Sequence, residues 1–189
     1  MGINHSKGTF TPEIAEIQRE TGFTLEQIFR LQKRFSTYDR DNDNFLRRDD
    51  FLVQPTLATN PLSNSIINLM FSGDDKPLDQ ITFKQFTLVL SRFLPENTQN
   101  CSHLNSSEEK LKFLFKLFDK DCDGYVSQGD LNSVLTMLIG SQVPVEQLDK
   151  IVDQTIGEAD SDQDGKVSFS EFSKIMAKVD INKKMTLHF

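Results

Sequence analysis

Tryptophan is absent from these 189 residues, and only two cysteines and three histidines occur. Cys101 and Cys122 lack metal-ligand spacing and are too few for a disulfide scaffold. With no cleavable apolar signal segment, free thiols in a reducing, cytoplasmic setting are expected. No apolar run approaches the roughly 20 residues that a membrane span needs. Basic side chains are also short, 21 against 28 acidic, for a net charge of −7. That balance argues against a nucleic-acid partner, because phosphate contacts need clustered Lys and Arg. His5, His103 and His188 stand in polar or terminal stretches without a paired nucleophile. No nucleophile elbow or phosphate loop occurs, so the chain reads as a non-enzyme.

What is present is phenylalanine, 16 residues against two tyrosines, and acid gathered at 39–50, 119–130 and 158–171. These fall into a repeat: a Phe-rich helical stretch, an acidic loop, and fixed apolar positions after it. Loops beginning at Asp39, Asp74, Asp119 and Asp160 place Leu46, Ile81, Val126 and Val167 at position 8. They place Phe51, Phe86, Leu131 and Phe172 at position 13. Position 8 is where paired calcium loops join back to back through a short strand bridge, and position 13 opens the core face of the following helix. Leu111, Leu114, Phe115 and Phe118 lead into the third loop at helical spacing, and Leu148, Ile151, Val152 and Ile156 into the fourth. Thr24 with Gln27 and Ser106 with Glu109 have capping-box spacing. Thr11-Pro12 starts an opening helix that Gly22 ends.

Calcium takes six to eight oxygens. A twelve-residue EF-hand loop supplies them from side chains at 1, 3 and 5, a carbonyl at 7, a water at 9 and a bidentate Glu at 12, with Gly at 6 for the turn. The fourth loop meets each requirement: Asp160, Asp162, Asp164, the Lys166 carbonyl, Ser168 and Glu171, with Gly165 at the turn. The third has Asp119, Asp121, Asp123, the Tyr125 carbonyl and Ser127, but ends on Asp130. Asp is one methylene short of Glu, which weakens calcium and relatively favours magnesium. The first keeps Asp39, Asp41, Asp43 and Asp50, but has Asn44 at position 6 and Arg47 at position 9, where a positive charge opposes a metal ion. The second has Lys76, Leu78 and Gln85 at positions 3, 5 and 12, so it is structural. The expected fold is all-α, two EF-hand pairs with short β-bridges. The divisions are an N-terminal segment with its helix (1–23), an N-lobe (24–94), a polar linker (95–107), a C-lobe (108–179) and a tail (180–189). Met1-Gly2-Ile3-Asn4-His5-Ser6-Lys7 fits N-myristoylation at Gly2, which gives reversible membrane attachment that needs a second anchor, here a protein partner.

Several segments resemble the calcineurin B homologous proteins: Glu16-Ile17-Gln18-Arg19-Glu20-Thr21-Gly22-Phe23, Pro55 with Asn60-Pro61-Leu62, Leu104-Asn105-Ser106, and Lys178-Val179-Asp180 with Lys184-Met185. The resemblance implies a myristoylated, two-lobed protein holding calcium in its last two loops. It also implies an apolar groove that takes an amphipathic helix of a sodium/proton exchanger near the membrane, and some members also inhibit calcineurin. The first reading is therefore a membrane-associated adaptor subunit of an exchanger, peripheral on membranes. The alternative is a calcineurin B-type regulatory subunit, which pairs with the catalytic chain of a calcium-dependent phosphatase. A calcium buffer is a third reading, from another class.

Overall fold

A computed structural model describes residues 11–73, 76–95, 103–139 and 142–185. Gly2, His5, Asp74, Cys101, His188 and most of the expected linker lie outside these residues.

The opening helix α1 (Pro12–Thr21) begins as the sequence dictates. The Thr11 hydroxyl accepts the Ile14 N–H, Pro12 fills the first turn, and Gly22 ends the helix in the left-handed region at φ 76°. Thr24 and Gln27 form the expected capping box at the start of α2 (Leu25–Tyr38). Helix α3 (Arg48–Leu52), α4 (Pro55–Ala58), α5 (Ser63–Met70) and α6 (Phe83–Ser91) complete the N-terminal half. The short strands β1 (Phe45–Leu46) and β2 (Ile81–Thr82) pair antiparallel, with Leu46 opposite Ile81.

After a 3-10 turn at His103–Asn105 come α7 (Ser107–Phe118), β3 (Tyr125–Val126), α8 (Gln128–Ile139), α9 (Val145–Ala159), β4 (Val167–Ser168), α10 (Phe169–Met176) and α11 (Ile181–Lys184). Here Val126 lies opposite Val167. All four position-8 residues are buried and paired as the repeat requires. Two-residue strands cannot stand alone, so each bridge exists because the helices on either side bury its apolar side chain.

Two apolar cores follow. The first gathers Phe35, Phe51, Phe71 and Phe86 with Leu46 and Ile81; Phe51 and Phe71 meet edge to face at 5.9 Å. Helix α1 joins this core through Ile14 and Ile17, and Lys84 of α6 pins it from outside by ion pairs to Glu16 and Glu20. The second core holds Phe115, Val126, Leu131, Val152, Ile156 and Val167, with Phe169 and Phe172 packed edge to face on Phe115. The halves are joined by Lys110, a fully buried α7 lysine whose ammonium donates to the Leu94 carbonyl at 3.1 Å, and by buried Asn105, which donates to the Pro95 carbonyl at 3.2 Å.

Two local expectations change. Ser106 caps α7 by accepting the Glu109 N–H, yet the Glu109 carboxylate accepts from Lys112 instead of returning to Ser106, so half of the box forms. Ile151, expected in the apolar stripe of α9, is exposed while Leu148, Val152 and Ile156 are buried. Val152, Ile156 and Ala159 are what α9 contributes to the C-lobe core, and Ile151 is left on the flank. Among the described residues no helix is long and apolar enough to cross a membrane.

Candidate metal centres

Each loop begins where a helix ends. Asp39, Asp119 and Asp160 close α2, α7 and α9, their N–H groups still bonded to Phe35, Phe115 and Ile156. Each then turns its carboxylate back over the loop. One oxygen of Asp160 accepts the Asp164 N–H at 3.2 Å and the other the Gly165 N–H at 2.7 Å. Asp119 does the same for Asp123 and Gly124, and Asp39 for Asp43 and Asn44. These turns need left-handed backbone at positions 4 and 6. Cys122 and Gly124 supply it in the third loop and Gln163 and Gly165 in the fourth. In the first loop Asn42 and Asn44 take φ 57° and 67°, so Asn replaces the expected Gly without loss of the turn.

The first, third and fifth positions of three loops converge. Oxygens of Asp39, Asp41 and Asp43, of Asp119, Asp121 and Asp123, and of Asp160, Asp162 and Asp164 lie within 4.8 Å of one another in each set. That is about twice a calcium–oxygen distance of roughly 2.4 Å, so one ion can touch all three. Donors that are all hard oxygen suit calcium or magnesium and exclude a thiolate or imidazole metal. The crowding leaves its mark electrostatically. Burial raises Asp119 above the ordinary carboxylate value; burial and then the negative charges of Asp164 and Glu171 raise Asp162. A divalent cation relieves both.

The twelfth position grades the loops. It is also the third residue of the outgoing helix, so its carboxylate does two jobs. One Glu171 oxygen accepts from the Ser168 N–H and hydroxyl, at 2.9 and 2.8 Å. The other reaches back to accept the Ser161 N–H at 2.6 Å and the Asp162 N–H at 3.3 Å. These bonds, led by those from Ser168, hold its carboxyl down at about 2 against an ordinary 4.5. Asp130 makes the same contacts to Ser127, at 3.0 and 2.6 Å, but its second oxygen only grazes the Lys120 N–H at 3.4 Å. The missing methylene is visible in that distance. Asp50 accepts the Arg47 N–H at 2.7 Å, and no described bond returns from it to the start of its loop. Gln85 caps Thr82 through its amide oxygen at 2.8 Å, so in the second loop position 12 has become a helix cap alone. Leu78, at position 5 there, packs on the N-lobe core.

Two cations, Lys166 and Arg47, also enter these loops. Lys166 lends its carbonyl position to the fourth loop, but its ammonium donates to Asp123 of the third at 2.6 Å while lying over the Tyr125 ring. That bond holds Asp123 below its ordinary value. Arg47 donates to Asp41 and Asp43 of its own loop at 3.1 and 2.5 Å. The signal for the second was the odd charge at position 9. For the first there was none, since the pairing depends on two loops meeting at the strand bridge. Cys122 is a free, exposed thiol at position 4, outside the ligand set.

A second feature lies apart from the loops. Tyr38, Phe51, Met70, Leu90, Phe113 and Leu117 line a groove of about 420 Å³, together with Lys184 and Met185. It is an apolar concavity shared by α2, α3, α5, α6 and α7.

A family model for an EF-hand domain pair matches residues 108–177, the span of the third and fourth loops and their helices. Over 188 residues, 99% of both chains, the sequence is 41% identical to calcineurin B of Naegleria gruberi. Over 167 residues, 88% of this chain and 90% of the relative, it is 38% identical to calcineurin B of Schizosaccharomyces pombe. Paired loops bridged at position 8, converging carboxylate sets and full-length identity at this level agree: the chain belongs to the calcineurin B-like family of EF-hand proteins.

Proposed function

We propose that this chain is a calcium-binding regulatory subunit of a calcineurin-type protein phosphatase, itself without catalytic residues. The observation that carries the reading is identity of 41% to a calcineurin B along 99% of both chains. In this reading Asp160, Asp162, Asp164, the Lys166 carbonyl and Glu171 hold one calcium ion. Asp119, Asp121, Asp123, the Tyr125 carbonyl and Asp130 hold a second, weaker one that magnesium can replace.

The apolar groove supports helix-in-groove binding of an amphipathic segment of the catalytic chain. The exchanger-adaptor reading uses the same groove, but neither of these two relatives is of that kind, and the phosphatase reading takes its place. N-myristoylation at Gly2, with peripheral attachment to membranes from the cytoplasm, remains part of the proposal on the Met-Gly-Ile-Asn-His-Ser start. Calcium in the C-lobe then keeps α10 packed on α7, which lines the groove, so the ions act on the partner by holding its seat.

The test is reconstitution with a calcineurin catalytic chain. Calcium-dependent co-purification and stimulation of phosphatase activity are expected. No complex with that chain at saturating calcium, together with binding to an exchanger's juxtamembrane helix, would reverse the ranking.

A further inference from the structure

The first loop has the backbone of a metal loop and a cation of its own. The Arg47 guanidinium donates through Nη1 to Asp41 Oδ2 at 3.1 Å and through Nη2 to Asp43 Oδ2 at 2.5 Å. Its Nη2 also reaches Gln80 Oε1 of the second loop at 3.4 Å, and its backbone N–H goes to Asp50 Oδ2 at 2.7 Å. One residue therefore engages positions 3, 5 and 12 of its own loop. We propose that Arg47 is an internal counter-cation that stands in for a metal ion in the first loop, so that the N-lobe loop pair keeps its closed shape at any calcium level.

The chemistry suits arginine in particular. A planar fork with five N–H donors can face two separate carboxylates at once, which a point-like ammonium cannot. The loop around it is already shaped: Asp39 holds the Asp43 and Asn44 N–H groups, and Leu46 is locked against Ile81. In the third and fourth loops position 9 is Ser127 or Ser168, whose hydroxyl caps the helix and bonds the twelfth carboxylate. Arg47 removes that oxygen and adds a charge. Its ion pairs are exposed, with 45% of the Arg47 side chain accessible. At the strength of two exposed ion pairs they weaken a competing ion by about twofold to thirtyfold, not more. The lost position-9 oxygen and the short Asp50 add to this.

Equilibrium dialysis of the full chain at about 100 µM free calcium tests it, a level above the range of sensor sites. The chains compared are the native protein, R47S and the double variant D41N/D43N. R47S is expected to bind one ion more than the native chain, and D41N/D43N to bind the same number as the native chain. An R47S chain that gains no ion, or a D41N/D43N chain that loses one, overturns the proposal. Each comparison is against the native count, so the outcome does not depend on how many ions the C-lobe takes. Should R47S fail to fold by circular dichroism, D41N/D43N decides alone.

Discussion

The N-lobe and C-lobe share a backbone plan and differ in what neutralises their acid. In both, a helix-ending Asp folds over the loop to hold the amide at position 6, at 2.9 Å in Asn44, 3.1 Å in Gly124 and 2.7 Å in Gly165. In both, position 8 is buried in a strand bridge. The C-lobe leaves its converging carboxylates free for an ion within each loop, apart from Lys166 on Asp123. The N-lobe covers one set with Arg47 and has lost the other. The lesson is that both pairs take their shape from a buried bridge and core, while the loops differ in how much converging acid a side-chain cation already covers.

The largest effect that can break this contrast is at Glu171. Glu171→Gln removes the charge that closes the fourth loop, and the tightest calcium step should weaken by about a hundredfold or be lost. Titration calorimetry measures it, and an unchanged step would mean the ligand assignment is wrong. Next is the N-lobe core. Phe86→Ala should cost about 3–5 kcal/mol in thermal or denaturant unfolding of that lobe. The loss should be nearly the same with and without calcium, because in the proposed reading Arg47 takes the place of an ion in that lobe. Recovery by calcium would count against the division.

A smaller change is Asp130→Glu, which restores the missing methylene. It should tighten the third site for calcium by about tenfold and shift its preference away from magnesium. The smallest concerns pH in the metal-free protein. The Glu171 carboxyl is depressed to about 2 from 4.5, so its contribution to stability is present above 4.5 and lost as pH falls toward 2. Between those values the native chain should lose stability more steeply than Glu171→Gln in melts followed by circular dichroism. Parallel curves would contradict the bond network from Ser168 and Ser161.

Much of the fold was legible because the repeat encodes it. Leu46, Ile81, Val126 and Val167 announce both bridges, and the caps at Thr11 and Thr24 set two helix starts. The shorter reach at position 12 of the third loop was legible too, since the missing methylene of Asp130 is a property of its side chain and needs no coordinates. Ile151 was misread because periodicity says which residues share a face and not how wide the core beneath it is. The half-formed box at Ser106 was misread because Lys112 one turn on competes for Glu109. The pairing of Lys166 with Asp123 could not be read at all, as it joins residues 43 apart in sequence through the strand bridge. The choice between two related partners was also beyond the residues. The segments that resemble the calcineurin B homologous proteins implied an exchanger adaptor, while full-length identity favours the phosphatase regulatory chain.

The central claim is that calcium is held in the C-lobe while the N-lobe loops are already closed. Amide resonances of Asn44, Gly124 and Gly165 test it most directly, since each N–H donates to the first carboxylate of its loop and feels an ion placed there. In a calcium titration followed by two-dimensional NMR, Gly165 and then Gly124 should shift while Asn44 stays in place. Movement of Asn44 over the same calcium range as the two glycines would contradict the account.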